Sequence, residues 1–393
     1  AAFFLLLIIW VLRSKASKSK KSATLVVLLA AAMPIIAGVF NFGPLRKFLY
    51  QETLSIRLHY WRVAIRIMRD HPINGVGIDK YGDFYRTYRE QWFVKKYSPG
   101  LISSNAHNVA LQWGSDLGVL GLLMYIGLAV VAFSIYLKAV RRDGGNSLTE
   151  LDYLFASFAA FYLQSIISIA QLSVTVLGFA LLGLLLGRAR LIMDATIQPS
   201  QIKRPARNKP KGEYIGLGTV WLIAMLILTP FTSWEMRKDI ELRKAMQLPG
   251  TAQKVPDLSV RSNAIKAAIQ PLITDQDYAV LAIQNLYEQG NAQTGVEVAQ
   301  NATKSNPRSW VGFQSQVVAF AQSNQPKLAM EASKKVLALD PLNFNIQINL
   351  AQQELKSGET STAEVNARKV LTVAPVDSDA YKASIELLKS IGK

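Results

Sequence analysis

Apolar positions along this chain are gathered into long blocks, where a water-soluble domain would set them out in stripes. Six blocks stand out, at Ala1–Leu12, Ala23–Phe40, Leu117–Leu137, Leu151–Ile169, Leu172–Gly187 and Tyr214–Thr232. A helix that crosses a bilayer needs roughly 20 such residues, and about 17 at the least. The pattern predicts a polytopic membrane bundle. Its first block is truncated, and its fifth is short and pairs with the fourth as a tight hairpin through Ala170–Ser173. No charged segment precedes Ala1 and no small-residue cleavage site follows the block. The chain therefore reads as entered within a bundle whose earlier spans are missing, and not as one led by a signal peptide.

From about residue 257 onward the pattern takes a helical period with a longer repeat laid over it. Pro307, Pro341 and Pro375 stand 34 residues apart, and each closes a helical stretch. A turn former (Gly290, Asn324, Gly358) stands seventeen residues before each proline, and a small residue (Gly295, Ala329, Ala363) twelve before. The unit is a pair of antiparallel helices. The turn former lies between them, the small residue lets them approach, and the proline opens the next unit. This segment resembles tetratricopeptide repeats, although only part of the aromatic pattern is kept (Trp310, Phe344) and a unit around Asn263–Tyr287 is degenerate. The expected architecture is all-α: a transmembrane helical domain over 1–232, a linker over 233–256 and a soluble TPR-like helical repeat domain over 257–393.

Charge adds an orientation. The net charge of +17 suggests a nucleic-acid partner at first sight, but the basic clusters sit in short loops beside apolar blocks. That is the positive-inside pattern, and it excludes nucleic acid as the main explanation. Arg13, Lys15, Lys18, Lys20 and Lys21 follow the first block without an acid among them. Lys138, Arg141 and Arg142 follow the third, and Arg188, Arg190, Lys203, Arg204, Arg207, Lys209 and Lys211 lie between the fifth and sixth. Counting spans puts all three loops on one side, the cytoplasmic one. The loop over about 41–116 and the chain after Thr232 then face outward, as in a multi-pass protein of the bacterial inner membrane. Cysteine is absent, which excludes disulfide frameworks and thiolate metal sites.

The outward loop carries the chemistry. It holds all three histidines, His59, His71 and His107, with eleven Lys/Arg against five Asp/Glu between Phe42 and His107. Either an anionic ligand or anionic lipid headgroups would account for that excess. Thr53–Asp70 reads as a helix whose Arg62, Arg66 and Arg69 form a narrow basic stripe, the pattern of a solvated or headgroup-facing surface. Arg57 instead falls in the apolar sector. A lone guanidinium there calls for snorkelling, for an acid such as Asp79 or Asp83, or for a phosphate or pyrophosphate ligand. Pro72 stops the helix, and Gly75 and Gly77 permit a tight turn with no nucleotide-loop context. His107 and Asn108 stand where the loop re-enters the membrane, ahead of Gly114, Gly118 and Gly121. For His107 the plain alternative to a functional role is an interfacial cap. No second histidine or acidic cluster sits at metal-ligand spacing, so no metal is expected.

Three pieces in this order resemble the O-antigen ligase and polymerase superfamily. They are Arg57-x-x-x-Trp61-x-x-Ala64, His71-Pro72-x-x-Gly75-x-Gly77, and Ala106-His107-Asn108 leading into a Gly-rich helix. The match is detailed over about Arg57–Ile126, and many members append tetratricopeptide repeats. The resemblance implies a GT-C-like, metal-independent membrane glycosyltransferase without a cofactor. Such an enzyme takes a glycan from an undecaprenyl-diphosphate carrier and passes it to an acceptor hydroxyl on lipid A core, on a glycan or on a protein. Carried over, Arg57 holds the diphosphate, His107 acts at the acceptor hydroxyl, and Trp61, Gly75, Gly77 and Asn108 belong to the substrate-binding surroundings. The resemblance also implies a further outward arginine, upstream of this chain.

Two other classes compete. A membrane-anchored scaffold would use its repeats to bind a protein partner in envelope assembly, but has no need of Arg57 or His107 where they stand. A carrier-lipid transporter would need charged or Pro-broken helix centres, and the fourth and fifth blocks offer only Gln164 and a few Ser/Thr.

Overall fold

The computed structural model describes residues 2–49, 52–145, 147–195, 234, 237–246, 258–273, 276–288, 290–322 and 325–393. The Tyr214–Thr232 block, the basic loop over 203–211 and most of the linker lie outside these residues. Among the described residues the fold is all-helical, without a strand. The chain divides into two compact units, one of residues 1–90 with 102–204, the other of residues 91–101 with 205–393.

The first unit holds α1 (Ala2–Arg13), α2 (Lys18–Val39), a single turn α3 (Arg46–Leu49), α4 (Glu52–Asp70) and α5 (Tyr81–Tyr88). The chain returns to it for α7 (Val109–Asp143), α8 (Glu150–Ser165) and α9 (Leu172–Ala195). Three helices here are long and apolar enough to cross a membrane: α2, α7 and Leu172–Asp194 of α9. α2 is apolar all round and exposes Val26, Val27, Leu29 and Met33, as a lipid-facing helix must. The fourth block differs from expectation. Its helix α8 is only 16 residues long and opens on Glu150 and Asp152, and the hairpin turn to α9 lies at 166–171. α9 runs on past Gly187 through Arg188 and Arg190, which lengthens the fifth block to 24 residues.

α1, α7, α8 and α9 share one core, built on Ile9, Ala132, Tyr136, Leu151, Phe155, Leu182 and Leu185. Its polar pin is Arg13, which meets Asp152 at 2.6 Å and Asp143 at 2.7 Å, while the Tyr136 hydroxyl donates to Asp152 at 2.7 Å. Arg13 thus leaves the set of solvated loop cations, because two carboxylates and the Ser147 carbonyl take up its charge. Thr149 and Asp152 form a capping box at the start of α8.

α7 is one helix of 35 residues broken at Gly118 (φ 72, ψ −164), a conformation that only glycine reaches without strain. The break is filled by the turn after α4. The Val119 amide donates to the Pro72 carbonyl at 2.8 Å, Val76 to Ser115 at 2.9 Å, and Gly77 to Asp116 at 2.9 Å. Gly75 and Gly118 allow this contact, since a Cβ on Gly75 would lie 2.3 Å from the Asp116 carbonyl carbon and one on Gly118 2.4 Å from the Ile73 oxygen. The Gly-x-Gly turn is thus a backbone clasp that holds α4 to the break in α7.

The second unit contains α6 (Gln91–Tyr97), a helical stretch 237–246, α10 (Leu258–Ile269) with a 3-10 turn after it, and seven further helices. These are α11 (Gln276–Glu288), α12 (Ala292–Ser305), α13 (Trp310–Gln322), α14 (Pro326–Leu339), α15 (Phe344–Lys356), α16 (Thr360–Val373) and α17 (Asp379–Ser390). Gln276, Trp310 and Phe344 each begin the first helix of a pair, and Ala292, Pro326 and Thr360 the second, so the 34-residue period is a period of helix pairs. Gly290 (φ 76) and Gly358 (φ 82) make the turns within two of the pairs, whereas Asn324 lies outside the described residues. Gly295, Ala329 and Ala363 are buried at the crossings. Val94 of α6 is buried in the same cluster as Phe344, Ile348, Ala363 and Val370.

Candidate active site

α4 forms because Thr53–Asp70 contains neither glycine nor proline, and it stops where Pro72 disfavours a helical His71. It packs Tyr60, Val63, Ala64 and Ile67 inward. His59 is fully buried on the same helix, with Nδ1 3.2 Å from a Glu90 carboxylate oxygen. Arg62 and Arg66 reach the same carboxylate at 3.3 and 2.6 Å. The basic stripe is therefore not a purely solvated face. Two of its arginines converge on Glu90, and Arg69 pairs with Asp70 at 3.0 Å. Burial pulls the His59 pKa down to about 4, with the two arginines adding to the effect and Glu90 opposing it.

Arg57 lies two residues before His59 on α4 and is half-buried. Among the described residues no hydrogen bond or ion pair engages it, so the pairing with Asp79 or Asp83 weighed from sequence is not formed. Asp83 instead takes Lys80 at 3.4 Å, and the Asp79 amide donates to Asp116.

His107 occupies the left-handed region (φ 51), unusual for a residue with a Cβ and worth about 1 kcal/mol or more of strain. Several contacts hold it there. Its amide donates to the Asn105 side chain at 3.2 Å, and the Trp61 indole donates to its carbonyl at 3.3 Å. Its ring stacks on Tyr60, 5.3 Å between centroids and 26° from parallel. Burial, and then the nearby Arg57 charge, hold the His107 pKa below the ordinary imidazole value. A neutral ring beside a guanidinium that has no counter-charge among the described residues is an arrangement suited to a proton acceptor next to an anion.

The other sequence candidates are placed differently. Asn108 is buried and caps α7, its side chain accepting from the Leu111 amide at 3.0 Å, so the cap role weighed for His107 belongs to its neighbour. Gly75 and Gly77 direct their amides to His71 and Asp116, within the clasp. His71 meets Phe84 edge-on at 5.4 Å and joins no other histidine. Among the described residues no group of three or more His, Asp or Glu is placed to hold a metal.

Sequence reasoning passed over Tyr60, Gln112 and Asp116. The Gln112 side-chain oxygen accepts from the Ala106 amide at 2.8 Å, and its nitrogen donates to both Asp116 oxygens at 3.1 and 3.0 Å. The signal for Asp116 was present, an acid one residue ahead of an apolar block.

A comparison with protein families matches residues 1–126 to the O-antigen ligase family, which spans α1 to the first half of α7 and includes Arg57, the clasp and His107. A comparison with the curated proteins finds no match. The family match supports the O-antigen ligase superfamily and a ligase- or polymerase-type membrane glycosyltransferase; it does not extend to the helix pairs.

Proposed function

We propose, from that family match and the site geometry, that the chain transfers a glycan from an undecaprenyl-diphosphate carrier to an acceptor hydroxyl at the outer face of the bacterial inner membrane. The observation that carries the reading is Arg57: a half-buried guanidinium without a counter-charge among the described residues, beside a histidine held neutral. In the reaction the acceptor oxygen forms a bond to the anomeric carbon as the bond to the diphosphate oxygen breaks. The hydroxyl proton passes to the His107 imidazole, and the diphosphate leaves with its charge against Arg57. Arginine can grip two phosphate oxygens at once and so supplies the stabilisation that a metal supplies elsewhere. Gly75 and Gly77 support this site through the clasp, and Trp61 through the His107 carbonyl.

The placement of α6 supports a shared outward side for loop and tail. It comes from the loop yet belongs to the same compact unit as the helix pairs. The pairs themselves, tetratricopeptide-like in period, are assigned to a protein partner or to presenting the acceptor.

The test is transfer from purified undecaprenyl-diphosphate-linked glycan by the full-length protein in liposomes, with EDTA present. His107→Ala should lower the rate by about 10²–10⁴-fold, as expected for loss of a general base. Arg57→Lys should also fail, while Arg62→Ala, whose partner Glu90 keeps Arg66, should cost far less. Equal rates for wild type and His107→Ala would remove the catalytic assignment.

A further inference from the structure

Five contacts form a closed path that begins and ends at His107. The Ala106 amide, next to it in the chain, donates to Gln112. Gln112 donates to Asp116. Asp116 accepts from the Asp79 amide at 3.2 Å and from the Tyr81 amide, and so ties down the start of α5. The Tyr81 hydroxyl donates to the Tyr60 carbonyl at 3.0 Å. The Tyr60 ring stacks on His107.

Packing alone does not call for this path. Asp116 is 7% exposed, just ahead of the apolar run of α7, and a buried carboxylate is costly unless donors surround it. An apolar pair would fill the same volume at equal or better stability. What the polar pair adds is direction: Gln112 must turn its oxygen to Ala106 and its nitrogen to Asp116, because the other groups facing Asp116 are donors too. The loop carrying His107 is thereby held at one height against α4 and α5, in the backbone conformation that a free loop would leave.

We propose that Gln112 and Asp116 are positioning residues that hold His107 in its strained turn and so set the aim of its imidazole at the acceptor hydroxyl. The aim at the acceptor hydroxyl and the rate measurement rest on the transfer reading above; the hold on the His107 turn does not.

The pattern of donors and acceptors gives a specific test. In Gln112→Glu two carboxylates face each other. In Asp116→Asn an amide nitrogen faces donors whichever way Gln112 turns. In the double variant Gln112→Glu, Asp116→Asn every group is matched again: the new carboxylate accepts from Ala106 and from the new amide, whose oxygen accepts from Asp79 and Tyr81. Each single variant, in the full-length protein, should lose about 10²-fold in kcat, the usual effect of misplacing a catalytic group by about 1 Å. The donor KM should stay unchanged, because Arg57 is outside the path. The double variant should recover most of the loss. Carbethoxylation of His107 by diethyl pyrocarbonate, read on its peptide by mass spectrometry, should change in both single variants and return in the double. Wild-type kcat and wild-type His107 modification in the single variants would overturn the proposal, as would a double variant no better than either single one. If the wild type transfers no glycan, the transfer reading fails, and the modification rates alone decide the positioning role.

Discussion

Alanine at Gly75 should separate the two roles open to the Gly-x-Gly turn, a ligand loop or a backbone clasp. Gly75 has φ +61, so alanine meets about 1 kcal/mol of left-handed strain whatever surrounds it. The new Cβ would also stand 2.3 Å from the Asp116 carbonyl carbon, 2.4 Å from its oxygen and 2.5 Å from the Leu117 nitrogen. Backbone cannot swing aside as a side chain does, so the turn and α7 must part by about 1 Å to restore contact distance. That displacement breaks the hydrogen bonds from Val76 to Ser115 and from Gly77 to Asp116, both 2.9 Å. Losing each of the two bonds costs about 1–3 kcal/mol, which with the strain makes a total of about 3–7 kcal/mol. Gly43 is the control, with φ +75 and nothing within 4 Å of its Cβ position, so alanine there meets the strain alone. At about 2–4 °C per kcal/mol for a unit of this size, Gly75→Ala should melt about 10 °C or more below wild type, and Gly43→Ala a few degrees below. The assay is thermal unfolding of the purified protein in one detergent. Equal midpoints for the two variants would refute the clasp.

Two further outcomes follow from buried groups. His59, with its pKa near 4, refuses a proton that the unfolded chain accepts near 6.5, so its contribution to stability is present above pH 6.5 and is lost as pH falls toward 4. Across that window the wild type should lose about 1.4 kcal/mol more per pH unit than His59→Gln, and parallel denaturant midpoints for the two proteins would refute this. In the second unit Ala329 is fully buried on α14 and Lys327 is exposed. Ala329→Arg should destabilise the helix pair by about 3 kcal/mol or more and speed amide exchange across α13–α15, with Lys327→Ala close to wild type; unchanged exchange in the arginine variant would count against the close crossing.

Elements set by local physics were legible. A long apolar block has to become a helix in lipid, because no other local structure satisfies its own backbone, and α2 and α7 follow from that. The 34-residue period became helix pairs because turn former and small residue act within one pair. α4 and the anomaly of Arg57 were readable because helical periodicity alone puts that guanidinium among apolar neighbours.

Long-range pairing was not legible. Arg13 counted as a loop cation until Asp143 and Asp152, at the far end of α7 and the start of α8, came to meet it. Arg62 and Arg66 read as a solvated stripe until Glu90 arrived from beyond α5. Gly75 and Gly118 each looked like an ordinary turn or a helix glycine, and only their mutual approach makes them a clasp. The same holds for His107. Sequence singled out the residue as a candidate, with Arg57 on the neighbouring helix. The strained turn, the Tyr60 ring against it and the Gln112–Asp116 path behind it depend on directions between helices, which spacing along a chain does not encode.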